Sequence, residues 1–203
     1  QGTMPQRERL KQMSDDMQRL VLKIQTLDRM LFDQLSTMLS DEQAVQLPRV
    51  RMHRQRERCG GLYSTGLIGQ QSLRDLSEIY RSLALTGEAY AATDPVVEQY
   101  ERRLTRGMME LYELSTTMFT RMYDALEARG VDVEALESDM QDPEKAAEMI
   151  QLFQEVFREI TAETQEVAKA IAQLNERTYR TVHGMLPARS ADAFRHRFHT
   201  EMY

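Results

Sequence analysis

Tryptophan is absent from the 203 residues, cysteine occurs once, and nine glycines and five prolines are all the chain offers for tight turns. Average usage would bring glycine and proline together to roughly 12%. So few turn formers exclude a sandwich, a barrel or any fold of many short strands. Aromatic residues make up 7%, too little for a large compact core built on rings. The single Cys59 forbids an internal disulfide. No stretch of about 18 apolar residues exists, so no segment reads as a membrane span. A net charge of -6 argues against general nucleic-acid binding. What remains is 41% hydrophobic and 29% charged, the balance of a chain that folds.

The apolar residues recur with helical spacing. Met13, Met17, Leu20, Ile24, Leu27, Leu31, Leu35 and Met38 follow one another at steps of three or four, one stripe down a long helix. A second stripe runs Val97, Tyr100, Leu104, Met108, Leu111, Ser115, Met118, Met122, Leu126. A third runs Met149, Phe153, Val156, Ile160, Val167, Ile171, Leu174, Thr178, Val182. No window alternates with period two, so the fold class is all-α. Asp94-Pro95 and Asp142-Pro143 each place an acceptor at an N-cap and a proline at the first helical position. Gly130 and Gly184 stand where left-handed C-caps would close those helices. The long helices are therefore expected near 8–38, 95–129 and 143–183, with shorter ones near 41–58 (interrupted by Pro48), 72–86 (opened by Ser72) and 188–203. Residues 132–140 read as a short helical linker, and Cys59-Gly60-Gly61 and Gly66–Gly69 as loop. A helix of about 40 residues is roughly 60 Å long. The expectation is a single all-helical domain over 1–203, an elongated bundle or hairpin with coiled-coil-like packing.

Leu39-Ser40-Asp41-Glu42-Gln43 has the form of a capping box. Ser40 can accept from the backbone N–H of Gln43, and the Gln43 amide can reach back to the N–H of Ser40. Asp41 and Glu42 add negative charge in the first turn, where the helix dipole favours it. A looser echo starts at Leu186 in Leu186-Pro187-Ala188-Arg189-Ser190, with Phe194 standing where Leu47 stands in the first copy. This pattern resembles the Leu-Thr-x-x-Gln signature of the periplasmic CpxP/Spy-like proteins, carried once near each end of a helical chain. Leu39, Ser40, Gln43 and Leu186 carry the resemblance. Ser40 replaces the family's threonine, and the second copy has Pro187 and Ser190 where the hydroxyl and the glutamine would stand. The resemblance implies a periplasmic or secreted all-α homodimer that acts as an ATP-independent chaperone, a stress-response regulator or a metal-responsive sensor.

Five arginines crowd residues 49–58, and Arg51, Arg54 and Arg58 fall on one helical face. That ridge reads either as a solvated face or as a protein-binding patch. No aromatic interleaves the arginines, which disfavours nucleic acid. Fourteen methionines serve as adaptable core filler or as a plastic apolar surface for varied partners. Met13, Met17, Met30, Met38, Met108, Met118, Met122 and Met149 lie on or beside the stripes. His196 and His199 are i, i+3 neighbours that could share a metal with Glu201 or His183. Cys59 lies among arginines, which would lower its pKa. No phosphate loop, nucleophile elbow, His-Glu-x-x-His or Glu-x-x-His pattern is present, so neither an enzyme nor a cofactor is expected. The reading is a protein-binding helical chain whose partners are unfolded or specific proteins. A coiled-coil scaffold and a metal-responsive relative are the alternatives.

Overall fold

The computed structural model describes residues 6–60, 74–133, 135–136 and 141–202. Among these residues the chain is all-α with no strand: α1 (Gln6–Met38), α2 (Asp41–Ala44), α3 (Leu47–Gly60), α4 (Leu76–Arg81), α5 (Gly87–Ala128), α6 (Pro143–Met185) and α7 (Ala188–Met202). The chain, read above as one domain, gathers into two compact units. One holds residues 1–38 and 113–164, the other 39–112 and 165–203.

In the second unit, Val97, Tyr100, Leu104, Met108 and Leu111 of α5 are buried, the inward face that the second stripe predicts. Ile171, Tyr179 and Val182 of α6 pack on them. Gly107 permits the close approach, because a Cβ there would stand 3.0 Å from Cγ1 of Ile171. Leu186, Ala191, Phe194 and Phe198 bring α7 into the same core. The Phe198 ring stacks on Tyr179 with centroids 3.9 Å apart. A buried polar relay joins three helices. The Tyr100 hydroxyl accepts from the Leu76 N–H at 2.8 Å and donates to Oδ1 of Asn175 at 2.7 Å. Nδ2 of Asn175 donates to the Arg74 carbonyl at 3.1 Å.

The first unit has a smaller core, in which Met118, Leu126, Val156 and Ile160 are buried. Arg121 pairs with Glu163 at 2.8 Å and Arg129 with Glu159 at 2.7 Å, an antiparallel match of α5 with α6. Helix α5 ends as predicted at Gly130, whose φ is +82°. The Val131 N–H reaches the Leu126 carbonyl and the Gly130 N–H the Glu127 carbonyl, the paired bonds of a Schellman motif. Helix α1 departs from its stripe. Phe32 is buried, and Val21, Ile24, Gln25, Asp28 and Leu35 are half-buried. Leu20, Leu27, Leu31 and Met38 of the predicted stripe stay exposed. The face that packs is thus offset from the face that is most apolar.

Several expected boundaries move for identifiable reasons. Pro95 lies inside α5 rather than opening it. Its ring is exposed, so the missing donor falls on the solvent side, and Asp94 binds Arg49 instead of capping. Residues 41–58 form two helices, and Pro48 sits in the first turn of α3, where a missing N–H costs nothing. The helix expected over 72–86 is only Leu76–Arg81. Asp75 caps it, accepting from the Ser77 N–H at 2.9 Å, and Ala84 in the left-handed region (φ 48°) follows it. Ser72, Gly61 and the Gly66–Gly69 loop lie outside the described residues, as does most of 132–140. Gly184 is helical; α6 runs to Met185 and stops ahead of Pro187, which disfavours helix at the residue before it.

Candidate functional site

Glu101 occupies an inward position on α5, one turn from Val97 and Leu104, and is fully buried. A carboxylate there requires partners, since an unpaired buried charge is costly. Three arginines supply them. Nε of Arg49 donates to Oε2 at 2.7 Å, and an Arg81 nitrogen to Oε1 at 2.8 Å. Arg56 lies 3.6 Å from Oε1. Arg49 also donates to Asp94 at 2.5 Å. Arg56, itself 3% exposed, donates to Oδ2 of Asp75 at 2.7 Å and to Oγ1 of Thr105 at 2.9 Å. Burial would lower the pKa of Arg49, but its hydrogen bonds to Asp94 and Glu101 outweigh this and raise it. The network clamps α3 and α4 onto α5.

Two cavities of about 380 Å³ each flank the clamp within the second unit. The first is lined by Arg49, Val50, His53, Tyr80, Leu85 and Tyr90 among others, with Asp94 and Glu101 at its polar side. The second is bordered by His53, Arg56, Glu57, Asp75, Glu78 and Glu201. His53, Asp75 and Glu78 bring one ligand atom each within 4.8 Å of one another.

The predicted residues fall around this site unevenly. Ser40 and Gln43 form the expected capping box: the Gln43 N–H donates to Oγ of Ser40 at 3.4 Å and the Ser40 N–H to Oε1 of Gln43 at 3.1 Å. Leu39 is half-buried, whereas Leu186 and Phe194 of the second copy are buried. Arg51 and Arg54 are exposed and Arg58 is half-buried; the arginines facing the clamp are Arg49 and Arg56. Of the methionines on or beside the stripes, Met108 and Met118 are buried, Met122 and Met149 half-buried, and Met30 and Met38 exposed. The side chains of Met13 and Met17 lie outside the described residues. Among the described residues, His183, His196, His199 and Glu201 do not gather into a ligand set. The His199 ring instead meets Phe198 edge-on at 5.6 Å.

Cys59 requires a correction. It lies on α3 rather than in a loop, and it is buried. Burial pushes its thiol up to about 11, only partly opposed by Arg58. The native thiol is therefore expected to resist iodoacetamide at about pH 8 and to react once the protein is unfolded, since the thiolate is the nucleophile. Its pKa is raised in the fold, so its contribution to stability is whole below pH 9 and is lost as pH rises from 9 toward 11. Cys59→Ala should flatten that alkaline decline in a series of urea midpoints.

No protein-family model, curated protein or solved structure matches the chain.

Proposed function

We propose that this chain is a helical protein-binding module that holds unfolded or partner proteins without ATP, chiefly through the exposed apolar face of α1. The observation that carries the reading is the fate of the first stripe. Leu20, Leu27, Leu31 and Met38, with Met30 beside them, are between 50% and 79% exposed. A contiguous apolar face of this kind is characteristic of interaction sites. Leucine and methionine side chains adapt to varied partners, and the exposed Arg51 and Arg54 of α3 offer cations to acidic clients. The capping box at Ser40 keeps the likeness to the CpxP/Spy-like proteins in play, and with it a periplasmic setting.

Light scattering from several aggregating clients, with and without equimolar protein and in the absence of ATP, tests this reading. Suppression is expected, and Leu20→Ser, Leu27→Ser and Leu31→Ser combined should abolish most of it while circular dichroism stays unchanged. Replacing Arg51, Arg54 and Arg58 by Ser should weaken suppression of acidic clients. No suppression with any client, together with concentration-dependent dimers that the leucine replacements dissolve, would establish the scaffold reading instead.

A further inference from the structure

The ring of His53 stands between the two cavities, and its two nitrogens are treated differently. Nε2 lies 3.5 Å from Oε1 of Glu57, one turn along α3. Nδ1 is buried without a hydrogen-bond partner. With its proton on Nε2, on the side of Glu57, the ring keeps the Nδ1 lone pair for a metal, the arrangement in which an outer carboxylate orients a ligating histidine. Asp75 is prepared in the same sense. Arg56 holds its Oδ2 at 2.7 Å and the Ser77 N–H its Oδ1 at 2.9 Å, yet each carboxylate oxygen keeps a lone pair for a further partner. Glu78, in the first turn of α4, is exposed and brings a third ligand.

We infer that His53, Asp75 and Glu78 form a binding site for a divalent transition-metal ion such as Zn²⁺. The three ligand atoms lie within 4.8 Å of one another. Bonds of about 2.0–2.2 Å at tetrahedral angles would bring them to roughly 3.3–3.6 Å, a closure within reach of small side-chain rotations. One imidazole with two carboxylates suits a borderline ion better than Mg²⁺ or Ca²⁺, which favour all-oxygen sets. The surrounding charge also fits. Two arginines border the cavity, Arg74 and Arg56, and the Arg56 charge is already shared between Asp75 and Glu101; Glu57 and Glu201 add two further carboxylates at the same cavity. An ion here would tie α3 to the start of α4, an additional link independent of the α1 face. This inference does not rest on the protein-binding reading, and its test does not use a client.

The experiment is calorimetric titration of the untagged, metal-stripped protein with Zn²⁺, alongside melting curves with and without the ion. One equivalent should bind and raise the melting temperature. His53→Gln and Glu78→Gln should each weaken binding by at least about tenfold and cancel the rise in melting temperature, with helix content unchanged. Glu78 is exposed, so that variant remains folded even if replacement of His53 does not. His196→Gln and His199→Gln should leave binding intact. Co²⁺ loaded in place of Zn²⁺ should give visible absorption bands that Glu78→Gln alters. Absence of binding for Zn²⁺, Co²⁺ and Mn²⁺, or binding that follows His196 and His199 instead, would overturn the inference.

Discussion

Glu101→Ala is expected to lower unfolding stability by about 3–5 kcal/mol, read as a large fall in the urea midpoint followed by far-ultraviolet circular dichroism. The size follows from what is left behind. Arg56 is 3% exposed and Arg49 is largely buried, and both would lose the carboxylate that compensates them. Asp75, Asp94 and Thr105 would still bind parts of these guanidinium groups, which holds the loss near that range rather than beyond it. Replacing both sides of the contact changes the outcome. Arg56→Met with Glu101→Leu should recover much of the loss, because no charge then remains stranded between those two positions. The effect should also persist in high salt, since screening acts mainly on exposed pairs. By contrast, breaking the exposed Arg102–Glu98 pair of α5 should cost well under 1 kcal/mol. A loss below about 1 kcal/mol for Glu101→Ala would mean that water reaches the clamp.

Phe194→Ala should cost a similar amount, about 3–5 kcal/mol. Phe194 is fully buried, and its ring centroid lies 5.4 Å from that of Tyr179. Truncation removes the burial of the ring and leaves a cavity that Leu186, Ala191 and Phe198 can fill only in part, because α7 is held to the core by those same residues. The informative control is Phe119→Ala. Phe119 is an aromatic residue of α5 that is 56% exposed, so its loss should fall within about 0.5 kcal/mol of zero. Equal effects at the two positions would show that α7 is not docked as described.

The periodic stripes of α5 and α6 translate directly into buried faces, because two long helices that pack along their length must repeat every three or four residues. Gly130 and the Ser40–Gln43 box are equally readable, since their geometry is local. The errors arise where a local signal is overruled by a distant partner. Asp94-Pro95 has the form of a helix start, yet Arg49, 45 residues earlier, takes the aspartate and the helix runs through the proline. The helical spacing of the arginine run singles out the ridge of Arg51, Arg54 and Arg58, while Arg49 and Arg56, seven residues apart on the other face, make the clamp. A signal for them was present: Glu101 falls three residues before Leu104 and four after Val97, an acid in the middle of an apolar stripe. Such an acid demands a buried cation, and the arginine-rich segment is where to look. The stripe of α1 misleads for another reason. Periodicity predicts an apolar face but not whether that face meets its own chain, and here Phe32 and its neighbours pack while Leu27 and Leu31 do not.

The relay through Tyr100 and Asn175 has a consequence for how α5 and α6 find their register. Stripes built on steps of three and four look nearly alike after a slide of seven residues, about 10 Å along the axis. Apolar contact alone therefore distinguishes the two alignments poorly. In the slid alignment Asn175 would face apolar side chains, the Tyr100 hydroxyl would lose its acceptor, and the Arg74 carbonyl would lose its donor. Each stranded group costs about 1–3 kcal/mol, enough in sum to make one alignment dominate, as a single buried asparagine does in a coiled coil. Asn175→Leu is then a change that leaves the core well filled while loosening a buried device that tells matching turns of the two helices from mismatched ones.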